Sequence, residues 1–362
     1  MSRLVSSCSA AALLVFATGV ANMQASHRAA TLAVIMTNDP MSNQIKVYDA
    51  GTHVLLQTLS THGKGGVGGN ARGVKQYNRE LLAVVNNGSN SVAVYRRNGN
   101  GRKFDKLVTT TSAPVSVDFG NDHMYVAGAT TVDSFVLHRN TVEWMDGTTG
   151  LELAAGGSPL NGSTAQVGII NERRLLVTLK TDPDPGTVDI VPLHDGAITG
   201  AVPVAVSAPA GTLTPFGFSV YHDGTAIITL AHSNQEGLFR NGAFTSVTAA
   251  GQGAPCWTTR AGKYVFTANT ASKTISRVIG TGNHVFVDSP VAATIATGGG
   301  PTDIDADDGV LGVIDHVAGQ SHLSLFIYNA FGELTASGSP IDLGVANANG
   351  VAIIAPPDRD EN

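Results

Sequence analysis

Apolar residues in this chain come in short blocks separated by turn residues, and one block pattern repeats. Residues 82–95 read LAVVNNGSNSVAVY and residues 264–278 read YVFTANTASKTISRV. Each is a hydrophobic strand, an Asn, a small-residue turn (Gly88-Ser89-Asn90; Ala271-Ser272-Lys273) and a second strand opening with Ser/Thr-Val/Ile. Residues 32–48, LAVIMTNDPMSNQIKVY, are a third copy with one extra residue. Apolar runs of this length, bounded by turn residues, read as buried strands. Self-similarity at a period of roughly 40–50 residues, built only from strands, predicts a β-propeller.

A propeller blade is a four-stranded meander whose innermost strand lines the central channel. Innermost strands should begin near Pro or Gly and end in a tight turn before a more hydrophobic strand. Seven segments fit: 72–77, 114–119, 165–170, 215–221, 255–259, 301–306 and 349–354. Second strands follow at 81–85, 123–127, 175–179, 226–230, 264–268 and 310–314. The last inner segment has no second strand after it, and the strand at 32–36 has no inner strand before it. Together they make one blade, so an all-β, seven-bladed propeller is predicted, closed by the C-terminal strand. Closure removes exposed sheet edges. The Gly-rich residues 63–73 read as a flexible loop between the first two blades.

Composition agrees with a turn-rich all-β protein. The 362 residues include 42 Gly and 15 Pro, and only 14% are charged. Net charge is −6 with no basic run, so the electrostatic footprint of a nucleic-acid binder is missing. Arg3 followed by the apolar residues 10–20 has the form of a secretory signal, too short to span a bilayer. The expected organisation is a signal peptide over 1–25, one propeller over 29–357 and a polar tail over 358–362, in a secreted, extracellular, monomeric protein. Cys8 leaves with the signal, so Cys256 is the one thiol of the mature chain and no internal disulfide forms. Asn87 and Asn161 head N-x-S/T sequons in expected turns and are candidate glycosylation sites.

Several motifs fail on context. Gly63-Lys64-Gly65-Gly66-Val67-Gly68 matches GxGxxG, but a strand follows it where a dinucleotide site needs a helix. Residues 303–309, DIDADDG, resemble the start of a calcium loop. They lack Gly at the sixth position and Glu at the twelfth, and read better as a strand ending in an Asp-Gly hairpin. Asp303 still has a place beside the channel. The 11 His form no HExxH pair, and no GxSxG elbow exists. His232 and Lys180 end second strands, where side chains crowd a propeller face. Cys256 and Trp257 point to opposite faces of an inner strand. No metal or other cofactor is expected.

The strand-Asn-turn-strand repeat resembles the YVTN-repeat, lactonase-like propeller superfamily, which includes propeller-type 6-phosphogluconolactonase and 3-carboxymuconate lactonizing enzyme. The resemblance spans essentially the whole mature chain. It is closer to secreted lactonase-family proteins at Ala165-Gln166-Val167, Thr214-Pro215-Phe216-Gly217-Phe218, Ala254-Pro255-Cys256-Trp257 and Ala348-Asn349-Gly350. It implies hydrolysis or cyclisation of lactone or sugar-acid substrates at a channel mouth. The enzymes resemble one another in inner-strand starts of the form Pro-Arg-His or Pro-His. Here those places read Pro114-Val115-Ser116, Pro215-Phe216-Gly217, Pro255-Cys256-Trp257 and Pro301-Thr302-Asp303, with no His. Lactone opening needs a base for water and donors for the oxyanion. Asp303 as base and Arg72 as cation are the catalytic candidates. Gln166, Phe216, Cys256, Trp257 and Asn349 are the channel or ligand-binding candidates. A second reading stays open, a non-catalytic propeller that binds a small molecule or an extracellular protein, because fold alone does not choose.

Overall fold

The computed structural model describes residues 30–151, 164–180, 184–198, 200 and 202–357. The expected signal peptide, the Asn161 sequon and the 358–362 tail lie outside the described residues. The chain folds into seven antiparallel sheets, each a meander whose first strand lies innermost. Six blades are continuous in sequence. The seventh pairs Val351–Ile354 with Leu32–Met36, in register from Leu32 opposite Ile354 to Ile35 opposite Val351.

Burial falls from the axis outward, and the sequence pattern follows it. The second strands Leu81–Asn86, His123–Gly128 and Tyr264–Asn269 are buried at every position. A neighbouring blade covers each of their faces, so they read as unbroken apolar runs rather than alternating ones. The outer strands Thr141–Gly150 and Ala243–Ala249 have exposed positions along their length, since their outer edge meets solvent. Turns supply the left-handed residues that hairpins demand. Asn121-Asp122 (φ 50° and 55°) and Asp308-Gly309 (φ 50° and 78°) close two inner hairpins. The second of these settles residues 303–309 as a strand and hairpin.

The Asn of the repeated phrase has a packing role. Asn86 is fully buried. Its Nδ2 donates to Thr61 O at 3.1 Å, and its Oδ1 accepts from Asn43 Nδ2 at 3.0 Å. Those partners belong to the neighbouring blade, so Asn86 joins two blades, whereas Asn269 of the other copy bonds Thr274 and Ser276 within its own. The turn after it needs a left-handed residue, which Asn90 supplies in one copy (φ 47°) and Lys273 in the other (φ 59°).

An inner strand pairs on one side only. Its other edge faces the channel, and those N–H groups need acceptors. Side chains of the neighbouring inner strand supply them. Val351 N–H donates to Asp303 Oδ2 (3.1 Å), Ile353 N–H to Asp305 Oδ2 (2.9 Å) and Ala355 N–H to Asp307 Oδ2 (3.2 Å). Three alternating carboxylates thus form a ladder along the strand that closes the ring. The same device recurs where Val167 N–H meets Ser116 Oγ and Ile169 N–H meets Asp118 Oδ2.

Candidate functional site at the capped channel mouth

Residues 63–73 are not the flexible connector that their glycine content suggests. The segment crosses the channel mouth at the inner-strand starts and is bonded to five blades. Ala71 N–H donates to Ala165 O at 3.0 Å. Asn70, fully buried, donates Nδ2 to Val115 O (2.7 Å), accepts Trp257 Nε1 at its backbone O (2.7 Å) and accepts Asn349 Nδ2 at Oδ1 (2.6 Å). Lys180 Nζ donates to Gly68 O and Gly69 O at 2.6 and 2.5 Å. Burial lowers the Lys180 pKa to about 8. Asn38 Oδ1 accepts from Gly66 and Val67 N–H, while its Nδ2 donates to Val67 O. The glycines serve close approach. A Cβ on Gly65 would lie 2.5 Å from the Asn38 carbonyl carbon. Gly65→Ala is therefore expected to lift the cap and cost about 1–3 kcal/mol, measured by denaturant unfolding. An unchanged midpoint would mean that the cap does not depend on this fit.

The cap divides the expected residues into two groups. Arg72 sits at its exit, in a left-handed conformation (φ 57°), three residues before Lys75 on the strand Val74–Tyr77. Asp303 is 2% exposed, and its carboxylate accepts Ile304 and Val351 N–H. Burial pushes the Asp303 pKa up to about 8, with Asp305 adding to the rise and Arg72 opposing it. Lys75 lies 3.7 Å from Asp118, and burial, then Arg72, lowers its pKa. Arg72 and Asp303 thus share one electrostatic cluster, placed on the channel side of the cap. Gln166 is fully buried and bridges two inner strands, donating Nε2 to Phe218 O and accepting Phe218 N–H at Oε1. Cys256 packs between blades, and burial, with Glu236 adding to it, raises its thiol to about 11. Asn87 is part-buried in a short turn, with Nδ2 donating to Pro114 O.

Trp257 and Asn349 belong to the other group. Above the cap lies a cavity of about 510 Å³, walled by Pro40 and Val67, the Gly68–Gly69 backbone, Trp257, Thr302, His316, Asn347 and Asn349. Phe216 supports Trp257 from behind in an edge-to-face contact at 5.3 Å. No lining residue carries a formal charge, His316 apart. Two polar atoms of lining residues are buried without a partner, Thr302 Oγ1 and Asn349 Oδ1. Such atoms cost about 1–3 kcal/mol each unless something binds them. The N–H groups of Gly68 and Gly69 make no hydrogen bond among the described residues. His316 lies 2.8 Å from Ala348 O through Nε2. A carbonyl only accepts, so Nε2 carries the proton and Nδ1 of the neutral ring keeps its lone pair. Sequence reasoning passed over His316, because it forms no tight pair and lies six residues from His322 across a loop. The position at the end of a second strand, where it flagged Lys180 and His232, is where His316 stands.

No protein-family model and no curated protein sequence matches the chain. Solved structures do match. The periplasmic gluconolactonase of Pseudomonas aeruginosa superposes with a TM-score of 0.65 at 15% identity, over 90% of this chain and 99% of that one. The chain shares the seven-bladed β-propeller fold of that gluconolactonase. A 6-phosphogluconolactonase candidate from Bacteroides fragilis gives 0.63 at 12% identity, over 90% and 98% of the two chains. A catalytically inactive virginiamycin B lyase from Staphylococcus aureus, crystallised with quinupristin, gives 0.55 at 14%, over 79% and 92%. Lactonase-like propellers thus share their architecture with a lyase, and chemistry has to be argued from the site. Among the described residues no cluster of three or more His, Cys, Asp and Glu is placed to hold a metal ion. No helix among them is long and apolar enough to cross a membrane.

Proposed function

We propose that the chain hydrolyses an uncharged lactone-type ring in the cavity above the cap. The observation that carries this is the pairing of a bare His316 Nδ1 with unbonded backbone N–H groups in one small cavity. His316 takes a proton from water, and the hydroxide attacks the lactone carbonyl. The Gly68 and Gly69 N–H groups receive the oxyanion, which glycine permits by close approach. The ring C–O bond then breaks, and the proton on His316 passes to the leaving alkoxide to give the hydroxy acid. The ring packs against Trp257, with the exposed Asn347 side chain lining the same cavity to meet ring hydroxyls. The cavity has no Lys or Arg to pair a phosphate, which favours a neutral substrate over a phosphorylated one.

The test is hydrolysis of a panel of neutral and phosphorylated lactones, followed by His316→Ala. Loss of about 100-fold or more in kcat is expected, with Arg72→Ala and Asp303→Asn run beside it as the alternative base and cation. Turnover that survives His316→Ala and falls with Arg72→Ala or Asp303→Asn would move the site beneath the cap. The second reading, ligand binding without turnover, draws on the cap that crosses the channel mouth between the cavity and the charged cluster. Saturable binding of the same lactones with no hydrolysis would favour it.

A further inference from the structure

Lys180 stands at the end of a second strand, as His316 does, and the reaction above gives it no part. It follows the strand Arg174–Leu179 and reaches across to the cap. Its Nζ donates to Gly68 O at 2.6 Å and to Gly69 O at 2.5 Å, its only hydrogen-bond partners among the described residues. Both partners only accept, so the contact uses the protons of the ammonium and not a lone pair. Burial is the one cause that lowers its pKa to about 8, with no charged group of the described residues acting on it, so the ammonium persists at neutral pH.

The consequence lies on the far side of the peptide. A trans peptide unit is planar, and its C=O and N–H point in opposite directions. Gly68 O and Gly69 N–H belong to one such unit. With the carbonyl held by Lys180, the N–H turns away from Lys180. The cavity walls include Gly68 and Gly69 but not Lys180, so this N–H, unbonded among the described residues, turns toward the cavity. Gly69 permits the grip. Its left-handed backbone (φ 54°) brings two successive carbonyls to one cation, where an extended strand would point them to opposite sides. A Cβ there would lie 3.4 Å from Lys180 Nζ and 3.9 Å from Phe216 Cε2, so the cation sits beside the ring that backs Trp257. A hydrogen bond to a carbonyl also polarises its peptide, which makes the N–H at the other end a stronger donor. A charged donor does this more than a neutral one.

We propose that Lys180 is a positioning residue that holds the Gly68–Gly69 peptide from behind and polarises the Gly69 N–H for the oxyanion. The catalytic consequence rests on the hydrolytic reading above, whereas the clamp itself does not. Lys180→Met keeps most of the stem and removes both bonds. Two resonances of the 15N-labelled full chain are read beside the kinetics. The Trp257 indole N–H, bonded to Asn70 O at 2.7 Å, reports whether the cap stays seated, and the Gly69 amide reports the state of the peptide. In the variant the Trp257 signal should stay in place, and the Gly69 amide should move upfield as the bond to its peptide carbonyl is lost. On a neutral lactone kcat should fall about tenfold with KM changed by less than about twofold. That loss is smaller than the roughly 100- to 1,000-fold that removal of a donor costs, because the N–H remains. If the parent hydrolyses no lactone, the hydrolytic reading falls and the Gly69 shift alone decides the clamp. A Gly69 amide that keeps its parent position overturns the proposal. So does a displaced Trp257 signal with kcat and KM both altered, which would make Lys180 an anchor of the whole cap. A shifted Gly69 amide with kcat unchanged in an active enzyme overturns its catalytic part.

Discussion

Replacing Asp303, Asp305 and Asp307 together by Ala is expected to destabilise the protein by about 3–9 kcal/mol, at roughly 1–3 kcal/mol for each orphaned donor. Each carboxylate accepts one N–H of the closing segment, at Val351, Ile353 and Ala355. Nothing else on that edge offers an acceptor, because the strand's other side is already paired with Leu32–Met36. Denaturant unfolding gives the magnitude, and amide hydrogen exchange locates it. Protection should fall first over Val351–Ile354 and then over its partner strand. The triple Asn variant keeps an acceptor oxygen at each rung and should lose much less. A triple Ala variant within about 1 kcal/mol of the parent would show that channel water satisfies these donors as well as the carboxylates do.

Raising the pH from 5 to 8 is expected to weaken the fold, with Glu236 and Asp303 as two causes of similar size. Glu236 is fully buried on the strand Gln235–Arg240, and burial pushes its pKa up to about 8. An unfolded Glu titrates near 4.3. Between the two values the folded state holds a proton that the unfolded state has released. The stability from this group is therefore complete below about pH 4 and drains away as pH climbs toward 8. The slope approaches about 1.4 kcal/mol per pH unit for one such group. Asp303, also raised to about 8, acts in the same direction. Glu236→Gln removes one ionisable group and keeps the shape, so its unfolding midpoint should vary with a shallower slope against pH, Asp303 supplying the rest, and exceed the parent's at pH 8. Parallel pH profiles for parent and variant would place the buried proton elsewhere.

The repeat was readable because blade strands obey simple burial rules. A second strand such as Leu81–Asn86 lies between two other sheets, so it has to be apolar throughout, and a blade-by-blade reading finds it. Inner-strand boundaries were legible to within about two residues for the same reason. Arg72 and Asn349 fall just before their strands because the backbone is still completing a bend there, as the positive φ of Arg72 records. The functional mouth was less legible. Trp257 and Asn349 were found at inner-strand starts, and both line the cavity. Residues 63–73 misled because glycine signals two things, freedom and close approach, and composition does not separate them. Only the packing of Gly65 on Asn38 and of Gly63 on Asn86 shows that the second applies. His316 was hidden because its Ala348 partner lies 32 residues away, on a segment that Ser321 holds against the same blade.

The blade shared by the two ends of the chain governs the order of assembly. A chain emerging from its N-terminus exposes Leu32–Met36 as an unpaired sheet edge until Ile354 has been made. That interval covers the whole of the other six blades. Unpaired edges recruit other strands, so this is when the nascent protein is most open to pairing with a second copy. The seam also joins residues more than 300 positions apart, which makes it a late and slow contact to form. Moving the chain ends to an exposed hairpin, with Ala30 and Pro357 joined by a short linker, would convert that late encounter into a local one.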